Sequence, residues 1–193
     1  MKLTAQRLLT LLLLILLSIG FGFGFDAIAT TIEKKNHPRP QSIAAMVTAN
    51  SKEFGVPEAI IWATVKHESD FASNAVSPTG EIGLMQISPA QSVMICKDLL
   101  QTDPLDAGML YDPATNLRLG TAYLSWLYQR YGVWENVYAA YFAGTEAVDG
   151  WLKDPSYLTP QGVLTNLPDR DAASYLKKTK KSVALYGKLY YES

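Results

Sequence analysis

The chain has 193 residues and a net charge of −1, and nearly half of its residues are apolar or aromatic, which is enough for a folded core and excludes a disordered chain. It lacks the basic excess of a phosphate-binding protein, so nucleic acid is not an expected partner. A single cysteine, Cys96, excludes an intramolecular disulfide, and two histidines at no metal-ligand spacing give no basis for a zinc centre; no metal or cofactor is expected.

At the N-terminus, Lys2 and Arg7 precede an apolar run from Leu8 to Phe25, followed by the small-x-small site Ala27-Ile28-Ala29. Residues 1–29 therefore read as a secretory signal peptide cleaved after Ala29, or as an uncleaved membrane anchor, because the run reaches the lower edge of a spanning length. Either way the remainder, with 15 basic and 17 acidic residues, is expected outside the cytoplasm. Residues 30–40 are polar, carry two prolines and read as a linker.

Residues 41–193 read as helix after helix in one mainly α domain, expected to be monomeric. Ser42 is placed to cap a helix bearing Ile43, Met46, Val47 and Phe54 on one face, with Gly55 closing it. Pro57 opens a helix through Ile61, Val65 and Glu68. Asp112-Pro113 opens another, with Leu117, Gly120, Leu124, Tyr128 and Tyr131 at helical spacing before Gly132. Trp134 to Ala143 is a further helix stopped by Gly144, and the last runs from about Asp171 to Tyr190. No segment alternates with period two; irregular connections are predicted at 72–89 and 97–113. Cys96, among Val93, Met94 and Ile95, reads as a small buried hydrophobe.

Glu68 continues the stripe of Ile61, Thr64 and Val65, so it points inward, and it falls at a helix end where unpaired carbonyls repel a carboxylate. Both effects favour the protonated acid, the form needed to protonate a leaving glycosidic oxygen. The plain alternative is a surface glutamate at the end of its helix. His67 lies about 100° away around the helix and reads as a neighbour rather than a partner. Lys177, Lys178, Lys180 and Lys181 read as a solvated helix face.

The segments Glu68-Ser69-Asp70-Phe71, Asn74-Ala75-Val76-Ser77-Pro78, Gly80 and Gly83-Leu84-Met85-Gln86-Ile87 closely resemble the core motif of soluble lytic transglycosylase domains. Asn116-Leu117, Gly120, Tyr123-Leu124 and Ala140-Tyr141-Phe142-Ala143-Gly144 extend the resemblance, with a weaker echo at Asp171 and Tyr175. It covers about residues 43–190. The resemblance implies a lysozyme-like helical fold with a saccharide groove, peptidoglycan glycan strands as partner, and Glu68 as catalytic acid and base. It implies that Ser69, Met85, Gln86, Tyr141 and Tyr175 contact substrate or hold the site, and that Gly80 and Gly83 let backbone approach the ligand. The implied reaction leaves 1,6-anhydro-N-acetylmuramic ends without consuming water.

Three positions depart from the family pattern. Phe142 stands where asparagine is usual, Glu81-Ile82 where a small residue commonly precedes the glycine, and Asp171-Ala172 where Glu-Thr is usual. Two other readings stay open at this point. A hydrolase of the goose-type lysozyme kind would need a second acid, with Asp70, Glu81 and Asp103 as candidates, and a non-catalytic peptidoglycan-binding module would keep only the fold.

Overall fold

Several helix boundaries in this protein follow capping chemistry. The computed structural model describes residues 28–192, which fall into two units meeting between Pro38 and Arg39. In the first unit residues 28–36 are helical (α1). The polar linker expected over 30–40 is thus mostly helix, because its two prolines come only at 38 and 40 and nothing before them breaks a helix. The signal or anchor segment lies outside the described residues. No helix among those described is long and apolar enough to cross a membrane.

The second unit holds α2 (Gln41–Phe54), α3 (Glu58–Ser69), α4 (Pro89–Met94), α5 (Pro113–Tyr131), α6 (Trp134–Ala143), α7 (Thr145–Trp151) and α8 (Arg170–Tyr190). Helix α5 starts as its sequence directs: Asp112 accepts a hydrogen bond from the Thr115 amide and Pro113 occupies the first turn. Gly55 and Gly132 close α2 and α5 in the left-handed conformation. Ser42 is not a cap; α2 begins after Pro40, and Ser42 lies inside its first turn. The 97–113 connection is partly helical, with a π-helical turn at Ile95–Leu100 and a 3-10 turn at Ala107–Tyr111. Cys96 is buried in that π turn. Ser88-Pro89 opens α4 by the same chemistry as Asp112-Pro113, with the Ser88 hydroxyl accepting from the Gln91 amide. No strand forms among the described residues; isolated bridges join Val76 to Ile82 and Ile82 to Ile87.

Helix α3 is the axis of the domain. Ile60 through Val65 are six consecutive buried residues, so its first two turns are covered on every side rather than along one stripe. Helix α8 packs on α3 and on α6, while α5 packs on α2 and α6. Burial of Ile61, Trp62, Val65, Leu117, Leu124 and Tyr186 joins these helices into one core. Only the last turn of α3 leaves that core, and Glu68 stands on it.

Candidate active site

Helix α3 stops abruptly after Ser69. Asp70 and Phe71 both take positive φ, 46° and 70°, which turns the chain back over the helix end. Phe71 packs against Trp62 and anchors the turn. Such a backbone conformation is unfavourable for side-chain-bearing residues and is held here by the surrounding structure.

The loop that follows forms the floor of a cleft, and side chains from three helices hold its backbone. Asn116 of α5, fully buried, accepts from the Met85 amide (2.7 Å) and donates to the carbonyls of Ile82 (2.8 Å) and Leu110 (2.9 Å). The Ser69 hydroxyl of α3 donates to the Leu84 carbonyl (2.8 Å), and the Tyr141 hydroxyl of α6 donates to the Met85 carbonyl (2.7 Å). Gly83, at φ 82°, sits so close to Asn116 that an added Cβ would lie 2.4 Å from its Nδ2. That glycine serves the packing of the loop on α5. Gly80, also at positive φ, faces open space and is a turn glycine.

Glu68, Ser77, Thr79, Glu81, Gln86, Ser88, Gln91, Tyr141 and Phe142 line the cleft, which encloses about 420 Å³. Glu68 is half-buried, and Tyr175 of α8 donates to its Oε1 at 2.6 Å. Burial pushes the Glu68 carboxyl up to about 7; the Tyr175 hydrogen bond opposes that shift and the neighbouring charge of Glu81 adds to it. Near neutral pH the group is therefore poised between acid and base. Burial first, then the charge of Glu68, holds the Tyr175 phenol well above its ordinary value, so it stays a donor. The ring of Phe142 stacks on that of Tyr175, centroids 4.8 Å apart, and is 46% exposed at the cleft.

Of the residues expected at the site, Glu68, Gln86 and Tyr141 meet in the cleft, and Tyr175 reaches it through Glu68. Gln86 turns its amide onto the carbonyls of Gly83 (2.8 Å) and Ala75 (3.3 Å). Met85 departs from expectation: its side chain is fully buried against Gly120, where an added Cβ would meet its sulfur at 2.4 Å, so only its backbone serves the site. Ser69 is not among the residues that line the cleft; its hydroxyl holds the loop through the Leu84 carbonyl. Asn116 is the residue that motif reading undervalued; the available signal was an asparagine inside the core-facing stripe of α5. Among the candidate second acids, Glu81 reaches the cleft. Asp70 is exposed and paired with Lys66, and Asp103 is exposed in the segment after the π turn. His67 bonds Ser182 of α8 (2.9 Å). Lys177, Lys178, Lys180 and Lys181 are exposed, and Lys180 pairs with Glu135.

Fold and site together define a mainly helical, lysozyme-like domain organised around one half-buried carboxyl group at a helix end. The family model described as the transglycosylase SLT domain matches residues 45–160, and the chain belongs to that family. It is 30% identical over 135 residues to the soluble lytic murein transglycosylase of Escherichia coli K12, covering 68% of this chain and 21% of that protein. With the Salmonella typhimurium protein of the same name it shares 28% over 144 residues, covering 73% and 22%. Among solved structures it resembles an inactive Glu-to-Gln mutant of lytic transglycosylase Slt from Pseudomonas aeruginosa (29% identity, TM-score 0.70, 77% of this chain and 24% of that one). It also resembles the 70-kDa soluble lytic transglycosylase of E. coli (25% identity, TM-score 0.75, 83% and 26%). The chain thus spans about a fifth to a quarter of the length of these relatives.

Proposed function

We propose that this domain is a peptidoglycan lytic transglycosylase in which Glu68 acts as both acid and base. The observation that carries the reading is the half-buried Glu68 carboxyl, pushed up to about 7 and steadied by the Tyr175 hydroxyl at 2.6 Å. Because Tyr175 donates to Oε1, the acidic proton sits on Oε2. That proton passes to the oxygen joining N-acetylmuramic acid to N-acetylglucosamine as the bond from the anomeric carbon breaks. The substrate's N-acetyl group stabilises the positive charge developing there. The Glu68 carboxylate then takes the proton of the muramic C6 hydroxyl as that oxygen bonds to the anomeric carbon. The product is a 1,6-anhydro end, and the enzyme is returned with its proton restored. A nucleophile supplied by the substrate removes the need for the paired carboxylates of most glycosidases. Gln86, whose side-chain carbonyl is left as an acceptor while its amide holds the loop, and Tyr141 line the surface against which the sugar lies.

The family and the relatives, which carry the name lytic transglycosylase, support this reading. The export pattern of residues 1–29 supports action at the cell envelope, with that segment either cleaved or retained as an anchor. Digestion of purified peptidoglycan followed by mass spectrometry of the sugar ends tests it. Anhydro ends from the native protein and none from Glu68→Gln are expected. Reducing ends would mean hydrolysis, and binding without release would mean a non-catalytic module; either result overturns the proposal.

A further inference from the structure

The cleft contains a second carboxylate that the reaction above does not use. Glu81 follows Gly80 in the loop and lines the same cleft as Glu68. Its Oε2 accepts from the Ser77 hydroxyl and from the Thr79 hydroxyl (2.6 Å), while the Ser77 hydroxyl also receives the Glu81 amide (3.1 Å). A three-residue clamp of this kind fixes the carboxylate in place and favours its ionised form, and those two hydroxyls hold it below the usual carboxylate range. Two carboxylates in one cleft repel when both are charged, so the one with more hydrogen bonds ionises and the other keeps its proton. Four hydroxyl or carboxyl groups from separate elements bear on the outcome: Glu68 of α3, Tyr141 of α6, Tyr175 of α8 and Glu81 of the loop. On α3 itself, His67 turns to Ser182 and Asp70 to Lys66. Glu81 is therefore the carboxylate that ionises first in the cleft it shares with Glu68.

We propose that Glu81, clamped by Ser77 and Thr79, is a positioning residue that keeps the proton on Glu68 until substrate takes it. The same anion acts again after the first proton transfer. Repulsion between Glu81 and the newly ionised Glu68 makes Glu68 a stronger base toward the muramic C6 hydroxyl. This inference rests on the transglycosylase reading and sharpens it, because the departure of Glu81 from the family pattern becomes a control on the working pH.

The experiment is the pH dependence of kcat/KM for anhydro-product release by the native protein, Glu81→Gln and Glu81→Asp. In Glu81→Gln the alkaline limb should move to lower pH by about half a unit, a roughly three-fold loss of activity above the limb. Glu81→Asp, which keeps the charge, should hold the limb near its native place. A residue that merely braced the loop would lower the plateau in both variants and leave the limb where it was, and that result overturns the proposal. Circular dichroism checks the fold; if Glu81→Gln unfolds, Glu81→Ala replaces it, which also removes the charge and should move the limb in the same direction, and an unmoved limb again overturns the proposal. Failure of the native protein to make anhydro ends would instead overturn the underlying reading, so the two failures are distinct.

Discussion

Tyr175→Phe isolates one hydroxyl. The ring that stacks on Phe142 is kept, and only the donor 2.6 Å from Glu68 Oε1 is removed. A hydrogen bond to a charged acceptor contributes about 1.5–3 kcal/mol, against about 0.5–1.5 kcal/mol to a neutral one, so its loss penalises the ionised form by roughly 1–1.5 kcal/mol more. At 1.36 kcal/mol per pH unit this raises the Glu68 carboxyl by about one unit above its native position near 7. The active form for the first step is the protonated acid, so activity falls as pH rises through that value. In Tyr175→Phe the fall should come about one unit later, while the plateau drops because the carboxyl is no longer held in one orientation. Release of soluble product from purified peptidoglycan between pH 5 and 9 measures the limb, and a carbon-13 titration of the Glu68 carboxyl measures the shift directly. A limb that stays in place, or moves to lower pH, would refute the claim that Tyr175 acts on the charge of Glu68.

Glu68→Gln should abolish turnover yet stabilise the protein at high pH. The native state holds this proton more tightly than the unfolded chain does, so native stability falls as pH rises from 4.5 to about 7; the variant should gain up to about 3 kcal/mol at pH 8 and nothing at pH 4, as thermal melts would show. Asn116→Ala strips partners from the Met85 amide and from the carbonyls of Ile82 and Leu110, at a cost of about 3 kcal/mol or more in denaturant unfolding. Gly83→Ala combines a positive φ with a clash on Asn116 and should cost more than about 2 kcal/mol, whereas Gly80→Ala, strained but facing open space, should cost only about 1 kcal/mol.

The helices were legible wherever a cap or stop residue coincided with an apolar period. Asp112-Pro113, Gly132 and Gly144 placed α5 and α6 almost to the residue. Where those signals are weak, the sequence pattern and the structure part. Thr30 to Lys35 contains no breaker and forms helix, and Ser88-Pro89 starts a helix whose π turn no periodicity announces. Glu68 was legible because an acid in an apolar stripe contradicts its surroundings. The division of labour around it was not, since a motif says which residues recur and not which atoms they offer. Met85 gives the site its backbone, Ser69 spends its hydroxyl on a carbonyl, and Asn116 ties the Met85 amide to the carbonyls of Ile82 and Leu110, hydrogen bonds that exist only in the folded loop.

Where the domain begins and ends, Arg39 lies over the rings of Trp62, Tyr190 and Tyr191 and pairs with Glu58. The Tyr191 hydroxyl donates to Glu58 and receives the Trp62 indole N–H. The entry and exit of the polypeptide are therefore clasped side by side on α3. A fold closed this way is transplantable: a longer chain can depart into it and return at the same doorway without prying its helices apart. That geometry suits a domain whose counterparts occupy only about a quarter of much larger proteins.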